Sequence, residues 1–411
     1  MMKQTLATFI RILKSLFFTF IITLKSLFVS SEPPPSLPMD LVEEILCRLP
    51  VKLLFQLRCQ SKSFNTLISS LEFARKHLSM SNMHHHHLII TYSHESYSKS
   101  RVFSYPLHSI FYPRYSIFNS IVKPTELEYP FDKEKIVYGG SCHGILCLAR
   151  KQDSRAKVKD VILWNPAIKK FQLSPSFKYP PIRDNYEYNP IFGFGYDHIF
   201  NLYKVVVIFD SVDGISKAVM VHTLGTSSWR LINVEFPLPN AHYRSLQFAS
   251  GALHWIPYRK DYTHSVDSFD LVTESYKRLL QPNYGVEDVY KVILGVSRNC
   301  LCIFACKKTF FDAWLMKEYG NEGSWTKLFR VPYMEVDPFT NAKTTYPLWI
   351  SEEDQVLMEY TYGGCLAVCD FKNGTFKFPK IQNIDGPNAI FNLGKDDNAE
   401  VYVESLISPC F

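Results

Sequence analysis

The sequence predicts an α+β multidomain protein, in which a small three-helix segment precedes a large all-β, β-propeller-like domain of about six blades. Three observations lead to this prediction. Apolar residues recur with the period of a helix over residues 37–80. After residue 100 they alternate with a period of two, which is typical of strands. In that second region, similar strand-and-hairpin segments return about every 50 residues, the spacing of propeller blades.

Four regions follow from these patterns. They are an apolar basic leader with a Pro-rich linker (1–36), the helical segment (37–80), a polar linker (81–100) and the β domain (101–411). The β domain is also favoured by the aromatic content of 15%, because aromatic rings pack well on pleated, half-buried sheets.

Composition limits the classes of partner. The chain is 46% hydrophobic and 20% charged, which is typical of a folded protein with a sizeable core. Its net charge is +6, but the leader supplies four of these charges through Lys3, Arg11, Lys14 and Lys25. A nucleic-acid-binding protein needs basic residues clustered on its folded part. We therefore expect no nucleic-acid partner.

Cysteine usage indicates a reducing compartment. The ten cysteines show no spacing typical of a disulfide framework. Cys147, Cys302 and Cys369 lie in alternating apolar runs, where cysteine acts as a small buried hydrophobic residue. We expect the body of the protein in the cytoplasm, the nucleus or both.

The leader allows three interpretations. Its longest uncharged stretch, Ser15–Leu24, is ten residues long, whereas a spanning helix needs about twenty. Residues 1–31 form a basic amphipathic helix that could lie on a membrane surface and associate the protein with it. The alternatives are a secretory signal and an extension that the functional product lacks. The prolines at positions 33–35 end any helix.

The helical segment has too much apolar surface for its size. Leu41, Ile45 and Leu49 share one face of a first helix, with Val42 and Leu46 beside it. Pro50 ends that helix. A second and a third helix follow, with their apolar positions at Leu53, Leu54 and Leu57, then Phe64, Leu67, Ile68 and Leu71. Some forty residues cannot bury all of this among themselves, so a partner surface is expected.

Residues 37–78 resemble the plant F-box. The matching positions are Leu37, Pro38, Leu41, Glu44, Ile45, Leu46, Arg48, Leu49, Pro50, Val51, Lys52, Leu54, Arg58, Cys59, Lys62, Leu67 and Ile68. The sequence departs from the pattern at Gln60, where valine is usual, and at Phe64, where tryptophan is usual. Phe64 is conservative, whereas Gln60 is expected to weaken packing and adaptor affinity.

The F-box resemblance implies docking onto a Skp-type adaptor and, through it, onto cullin and RING proteins. In that family the Leu-Pro start and the apolar residues of the first two helices contact the adaptor. The implied adaptor-binding residues are Leu37, Pro38, Leu41, Ile45, Leu46, Leu49, Pro50 and Leu53. The alternative interpretation is a generic helical bundle or a helix-turn-helix, and a DNA-reading helix would have to be basic.

The β region contains a hidden repeat. Each of five hairpins carries an aromatic residue in its second strand, at Phe171, Trp229, Tyr276, Trp325 and Phe376. Their separations are 58, 47, 49 and 51 residues. Two further strands, around Arg101–Tyr105 and Glu400–Ser405, would complete a sixth blade and close the ring, which removes exposed sheet edges. The alternative is an ordinary sandwich with aromatic-rich strands.

The same region resembles the plant F-box-associated domain, which is kelch-like in strand order. The resemblance lies in five pieces, Ser141–Leu146, Trp164–Lys170, Phe192–Asp197, Leu224–Arg230 and Gly251–Trp255. Kelch repeats proper have paired glycines, and this sequence has such pairs only at Gly139-Gly140 and Gly363-Gly364. The number of blades is therefore left open.

No set of residues predicts catalysis, a metal or a cofactor. The run His84–His87 lies in the predicted linker, whereas zinc needs ligands held tetrahedrally. Cys302 and Cys306, like Cys365 and Cys369, stand four apart on strands, roughly 13 Å from each other. The pair Gly193 and Gly195 lacks the third glycine of a dinucleotide fingerprint.

The sequence thus predicts a non-catalytic substrate adaptor of an SCF-type ubiquitin ligase, which binds a protein substrate through the β domain. Loops on rigid scaffolds commonly carry recognition, and the long loops Tyr179–Pro190 and Tyr258–His264 are candidates. The substrate itself is unknown. Two alternatives remain open, a membrane-tethered interaction module without ligase activity and a propeller-type enzyme.

Overall fold

The computed structural model describes residues 39–81, 83–92, 100–112, 121–131, 136–151, 158–176, 190–210, 217–232, 246–256, 265–285, 288–333, 345–360, 365–382 and 398–410. The chain divides into two compact units, residues 1–49 and residues 50–411. The division falls inside the predicted helical segment, and the helix before residue 80 packs on the β domain. The predicted domain boundaries stay a prediction.

The described part of the first unit is helix α1 (Met39–Leu46) and the turns that follow it. Asp40 lies in its first turn, where the positive end of the helix dipole favours a carboxylate. Backbone hydrogen bonds continue from the amides of Arg48 and Leu49 to the carbonyls of Ile45 and Leu46. Arg48 also forms an ion pair with Glu44 at 2.8 Å, one helical turn earlier.

The second unit begins with three helices, α2 (Val51–Arg58), α3 (Lys62–Ile68) and α4 (Leu71–Ser79). The Ser61 and Ser70 hydroxyls cap α3 and α4 by accepting backbone amides at 3.1 Å. The sequence predicted three helices over residues 37–80, whereas the structure has four there. Leu71, which was predicted on the third helix, begins a fourth because the Ser70 cap interrupts the helix.

The β domain is a propeller of six four-stranded blades, as the sequence predicted. Blade one contains β4 (Ile136–Cys142), β5 (Ile145–Lys151), β6 (Val158–Asn165) and β7 (Lys170–Leu173). Blade two contains β8 (Ile191–Asp197), β9 (Leu202–Asp210), β10 (Lys217–Thr223) and β11 (Arg230–Ile232). Blade three contains β12 (Gln247–Ala249), β13 (Ala252–Trp255), β14 (Ser265–Asp270) and β15 (Ser275–Leu280).

The remaining three blades complete the ring. Blade four contains β16 (Lys291–Ser297), β17 (Cys300–Cys306), β18 (Phe310–Met316) and β19 (Trp325–Pro332). Blade five contains β20 (Thr345–Ile350), β21 (Gln355–Tyr360), β22 (Cys365–Asp370) and β23 (Thr375–Lys377). Blade six contains β1 (His86–Tyr92), β2 (Arg101–Pro106), β3 (Thr125–Glu126) and β24 (Asn398–Val403). A short helix α5 (Leu107–Phe111) follows β2, and single 3₁₀ turns lie at Met83–His85 and Glu322–Ser324.

Blade six closes the ring with strands from both ends of the β domain. Its sheet order is β24-β1-β2-β3, and β1 pairs antiparallel with both neighbours, so that Leu88 faces Val401 on one side and Tyr105 on the other. The innermost strands β4, β8, β12, β16, β20 and β24 contact one another in that order around the ring. The predicted closing strands near 101–105 and 400–405 are confirmed.

The predicted polar linker over 81–100 needs correction. Residues 86–92 form β1, and its last five residues are buried. The histidines concealed this strand, because a run of polar rings does not show the alternation by which strands are recognised.

The repeated aromatic residues lie in the outermost strand of their blades or, for Trp229, directly before it, which confirms the repeat. Two of them bond to the preceding blade. The Trp229 indole N–H donates to the Pro175 carbonyl at 2.8 Å, and that of Trp325 donates to the Leu280 carbonyl at 3.0 Å. An aromatic with a polar N–H suits this position because it fills the space between blades and satisfies a carbonyl.

Strand direction gives the propeller two distinct faces. In each blade the strands alternate in direction, so the turn from the first to the second strand and the turn from the third to the fourth lie on one face. The connections from second to third strand, and from each blade to the next, lie on the other. Helix α4 contacts the first face, which we call the α4 face. The other is called the opposite face.

Candidate functional site

Helix α1 presents an apolar surface to solvent. Leu41 and Ile45 are 48% and 37% exposed, and their spacing of four places them on one side of the helix. Met39, at the start of the helix, is exposed as well. Val42 and Leu46, also four apart, are buried. The helix therefore has two apolar stripes, of which one is covered and the other is open.

The residues predicted to contact an adaptor have different environments. Leu37 and Pro38 lie outside the described residues. Leu41, Ile45 and Pro50 are exposed, and Leu49 and Leu53 are half-buried. Leu46 is 0% exposed, so a partner cannot reach its side chain in this structure. The open apolar positions of α1 are therefore Met39, Leu41 and Ile45.

Helices α2 and α3 are held together by packing and one side-chain bridge. Val51, Leu54, Phe64 and Ile68 are buried. The Arg58 Nε donates to Asn65 Oδ1 at 3.0 Å and its guanidinium lies 5.2 Å from the centre of the Phe55 ring. These contacts fix the arrangement of α2 and α3, so any partner meets a preformed surface.

The two departures from the F-box pattern are in different environments. Phe64 is buried and takes the core position that tryptophan would hold. Gln60 is exposed in the turn between α2 and α3. It therefore leaves the packing of the described helices intact. Its predicted effect on adaptor affinity is untouched by this finding.

Helix α4 is seated on the propeller. Ala74 belongs to the hydrophobic cluster formed by blades one and two, and Leu78 packs against that cluster. Arg75 donates to Tyr196 Oη in β8 at 3.4 Å and to Asn201 Oδ1 in the turn between β8 and β9 at 3.3 Å. Sequence reasoning missed this contact, because no local pattern tells an exposed arginine which distant turn it will meet.

The histidine run has structural partners. The His84 ring stacks on His108 at 4.1 Å, and His85 is buried against the edge of His77. His87 Nδ1 hydrogen-bonds to the Ser104 hydroxyl at 2.8 Å, and burial lowers the pKa of His87 to about 4. Among the residues that the structure describes, no three His, Cys, Asp or Glu side chains are placed to hold a metal ion.

Cys302 and Cys306 are buried on β17, in the cluster between blades four and five. Burial raises the pKa of the Cys302 thiol to about 12 and also raises that of Cys306, which keeps both protonated. Cys369 lies in the same cluster. These thiols act as small core residues, as the sequence predicted.

The loops predicted for recognition lie outside the described residues, except for Pro190. The strand ends that they connect are described. The first loop joins β7 to β8, and the second joins β13 to β14. Both connections begin and end on the opposite face of the propeller.

Within the described part of the chain, no helix has the length and apolar character needed to cross a membrane.

Two family matches show the class of protein to which the helices and the six-bladed ring belong. Residues 35–76 match the F-box domain, and residues 90–408 match the F-box associated beta propeller domain. The second match covers most of the chain, and the chain therefore belongs to the F-box associated beta propeller domain family.

Relatives share both parts. The chain is 29% identical over 387 residues to an F-box/kelch-repeat protein of Arabidopsis thaliana, a match that covers 92% of this chain and 96% of that protein. It is 28% identical over 324 residues to the F-box protein CPR1 of the same plant, covering 72% and 73%. Among solved structures, the nidogen/laminin complex contains a chain that aligns with 78% of this one and is itself covered to 99%, at a TM-score of 0.41 and 9% identity.

Proposed function

We propose that this chain is the substrate-recognition subunit of an SCF-type ubiquitin ligase. The observation that carries the proposal is the exposed apolar stripe of α1, within a segment that matches the F-box domain. A stripe of this kind loses unfavourable contact with water when a partner covers it. A Skp-type adaptor, itself linked to cullin and RING proteins, is the partner that an F-box implies.

In this role the chain supplies proximity rather than chemistry. The helices bind the ligase core, and the propeller holds a target protein. Ubiquitin transfer is carried out by the RING protein and its conjugating enzyme. Holding a target lysine near the activated ubiquitin turns an encounter between separate molecules into a reaction within one complex.

Seating of α4 on the propeller supports this role. Ala74, Leu78 and Arg75 join the last helix of the segment directly to blades one and two. A target on the propeller would then be held in a defined position relative to α4. A flexible tether would instead spread the target over many positions and reduce its effective concentration at the catalytic centre.

We place target binding on the opposite face of the propeller. The α4 face carries the short turns within blades and is partly covered by α4 and by residues 404–410. The strand ends joined by the two predicted recognition loops lie on the opposite face. Helix α4 and a target can therefore occupy the propeller at the same time without competing for one surface.

The compartment proposed for this function is the cytoplasm, the nucleus or both. Nine cysteines in the described residues are free thiols, which supports a reducing environment.

The first experiment is a pull-down of the full chain with a Skp-type adaptor. A Leu41→Glu, Ile45→Glu double variant places charges on the exposed stripe of α1 without altering its buried residues. Its matched control is Leu231→Glu, Leu280→Glu, at propeller positions that are 57% and 50% exposed.

We expect the wild-type chain and the control to bind the adaptor, and the α1 variant to lose binding by at least about a hundredfold, since two buried charges would oppose the contact. Equal binding by the α1 variant and the control would show that α1 is not the contact. No binding by the wild-type chain would overturn the ligase assignment itself.

A further inference from the structure

A cavity of about 330 Å³ lies between α4 and the α4 face of the propeller. One wall comes from α4, through Leu71, Arg75 and Leu78, and the facing wall comes from the turns of blades one and two. Its volume is at the lower end of the range of about 300–1,000 Å³ that is typical of small-molecule sites. It belongs neither to α1 nor to the opposite face.

The charges around the cavity are unbalanced. Among the lining residues that the structure describes, Arg75 is the one with a charge, and none of them is Asp or Glu. Its hydrogen bonds go to two neutral oxygens, Tyr196 Oη and Asn201 Oδ1, at 3.4 and 3.3 Å. Guanidinium–carboxylate hydrogen bonds are shorter, about 2.7–2.9 Å, and roughly twice as strong as neutral ones. The site therefore offers a cation that would gain from an anion in the cavity.

A second polar side chain lines the same space. His143 lines the cavity, and its Nδ1 lies 3.0 Å from the Tyr203 hydroxyl. Burial, together with the nearby Arg75, lowers the pKa of His143 to about 4, so the ring is neutral. Burial also keeps the Tyr203 hydroxyl protonated by raising its pKa. In the tautomer with its proton on Nε2, the imidazole accepts the Tyr203 hydroxyl at Nδ1 and has Nε2 as a donor.

The rest of the lining is largely apolar. Leu71, Leu78 and Ile407 contribute aliphatic surface, and Tyr196 and Tyr203 contribute rings. From this arrangement we propose that the cavity binds a small organic monocarboxylate with an apolar body, its carboxylate at Arg75 and His143 and its body against the leucines. An uncharged ligand of equal size would leave the guanidinium without its anion.

Such a ligand would touch α4 and the propeller together. It would therefore stabilise the seating of α4, because any ligand that binds only the docked arrangement shifts the equilibrium towards it. The proposal does not depend on adaptor binding. Failure of the pull-down described above would leave it standing, and failure of the present test would leave the ligase assignment standing.

The test uses the full chain and defined probes. Benzoate, phenylacetate and 4-methylpentanoate are titrated by saturation-transfer NMR, each beside its primary amide. The variants are Arg75→Gln and, as a matched control, Arg298→Gln, an exposed arginine in the turn between β16 and β17 on the same face. At least one acid is expected to bind at least about tenfold more tightly than its amide, and Arg75→Gln should remove that difference while Arg298→Gln keeps it.

A second measurement does not rely on any variant. Hydrogen exchange of the wild-type chain with a saturating acid should slow at residues 71–79 and 197–203, while the amide at equal concentration should leave exchange unchanged. The proposal is overturned if no acid binds, if acids and amides bind equally, or if protection appears elsewhere.

Discussion

Asn165 links blade one to the C-terminal segment. Its side chain is fully buried and donates to the Ser405 carbonyl at 3.0 Å and to the Ile407 carbonyl at 2.8 Å. Its Oδ1 accepts the Ala167 amide at 3.0 Å. One amide group thus satisfies three buried backbone groups and holds the residues that follow β24.

Replacing this amide should weaken the fold in a way that depends on hydrogen-bond donation. Asn165→Ala is expected to lower the free energy of unfolding by about 1–3 kcal/mol, because buried carbonyls lose their donor. Asn165→Asp has the same size, but it places a charged acceptor against two carbonyl oxygens. It should therefore lower the free energy of unfolding further at pH 7, and part of that stability should return when the carboxylate is protonated at lower pH. Urea unfolding at pH 7 and pH 5 measures both. An Asp variant as stable as wild type at pH 7 would contradict the assigned donor.

His254 predicts a dependence of stability on pH. Its Nδ1–H donates to the Gln247 carbonyl at 3.1 Å, its Nε2 hydrogen-bonds to the Tyr319 hydroxyl at 3.0 Å, and burial lowers its pKa to about 4 from the ordinary 6.5. The unfolded chain takes up a proton near pH 6.5 and the folded chain only near pH 4. Stability is therefore present above pH 6.5 and is lost as the pH falls through that window, by up to about 1.4 kcal/mol per pH unit for one group.

Other buried groups also change the free energy of unfolding with pH. The test therefore compares the slope of that free energy against pH between variants. The pKa values of His87 and His143 are also lowered to about 4 by burial and act in the same direction. Glu404, whose pKa burial raises to about 7, acts in the opposite direction, because its stabilising proton is lost as the pH rises from 4.5 to 7. His254→Gln should reduce the slope between pH 6.5 and 4 by about one proton. An unchanged slope would show that His254 is not the group that titrates.

At the scale of single elements, the turn between β4 and β5 is closely packed. Gly144 has φ +81°, and a Cβ there would lie 2.4 Å from Ser405 Oγ and 2.7 Å from the Val403 carbonyl oxygen. Gly225 has φ +92° and no atom within 4 Å of such a Cβ. Both glycines therefore have a backbone with positive φ, and they differ in the space available for a Cβ atom.

Alanine substitutions at these two glycines separate the cost of a left-handed backbone from the cost of steric overlap with neighbouring atoms. Gly225→Ala should cost about 1–2 kcal/mol of unfolding free energy, from the left-handed backbone alone. Gly144→Ala should cost about 1–3 kcal/mol more, because the added methyl displaces the residues after β24. Thermal unfolding of both variants measures the difference. Equal losses would mean that those residues are not packed against the β4–β5 turn.

The elements also show where the sequence was informative. The repeat predicted blades because an aromatic recurs at the same position of the outermost hairpin, and at Trp229 and Trp325 its indole N–H also donates to the preceding blade. The strand β1 was missed because its histidines hid the alternation. The exposed stripe of α1 could not be told from the buried one, since Leu41 and Leu46 are equally apolar and only distant contacts decide which is covered.

For the whole molecule, closure of the ring depends on β24. It is the inner strand of blade six and contacts the inner strands β4 and β20 on its two sides. A chain ending at residue 397 would leave β1 with an unpaired edge and the ring open. We expect it to lose the cooperative thermal transition and to aggregate, as measured by calorimetry and size-exclusion chromatography. A chain ending at residue 408 retains β24 and should unfold like the wild-type chain. If both truncated chains unfold in the same way, β24 does not close the ring.

We propose separate roles for helix α1, which would contact the ligase core, and for the opposite face of the propeller, which would hold a target. The cavity under α4 and the exposed stripe of α1 could not be located from the sequence, because both depend on which surfaces the folded chain covers. The F-box and the propeller could be predicted, because each leaves a recurrent local pattern.

The most direct test is the assembly of a complex from purified full chain, a Skp-type adaptor and a cullin, followed by light scattering during size-exclusion chromatography. We predict one particle whose mass equals one copy of each protein, and its loss with the Leu41→Glu, Ile45→Glu variant but not with Leu231→Glu, Leu280→Glu. Elution of the wild-type chain apart from the adaptor and cullin would contradict the account.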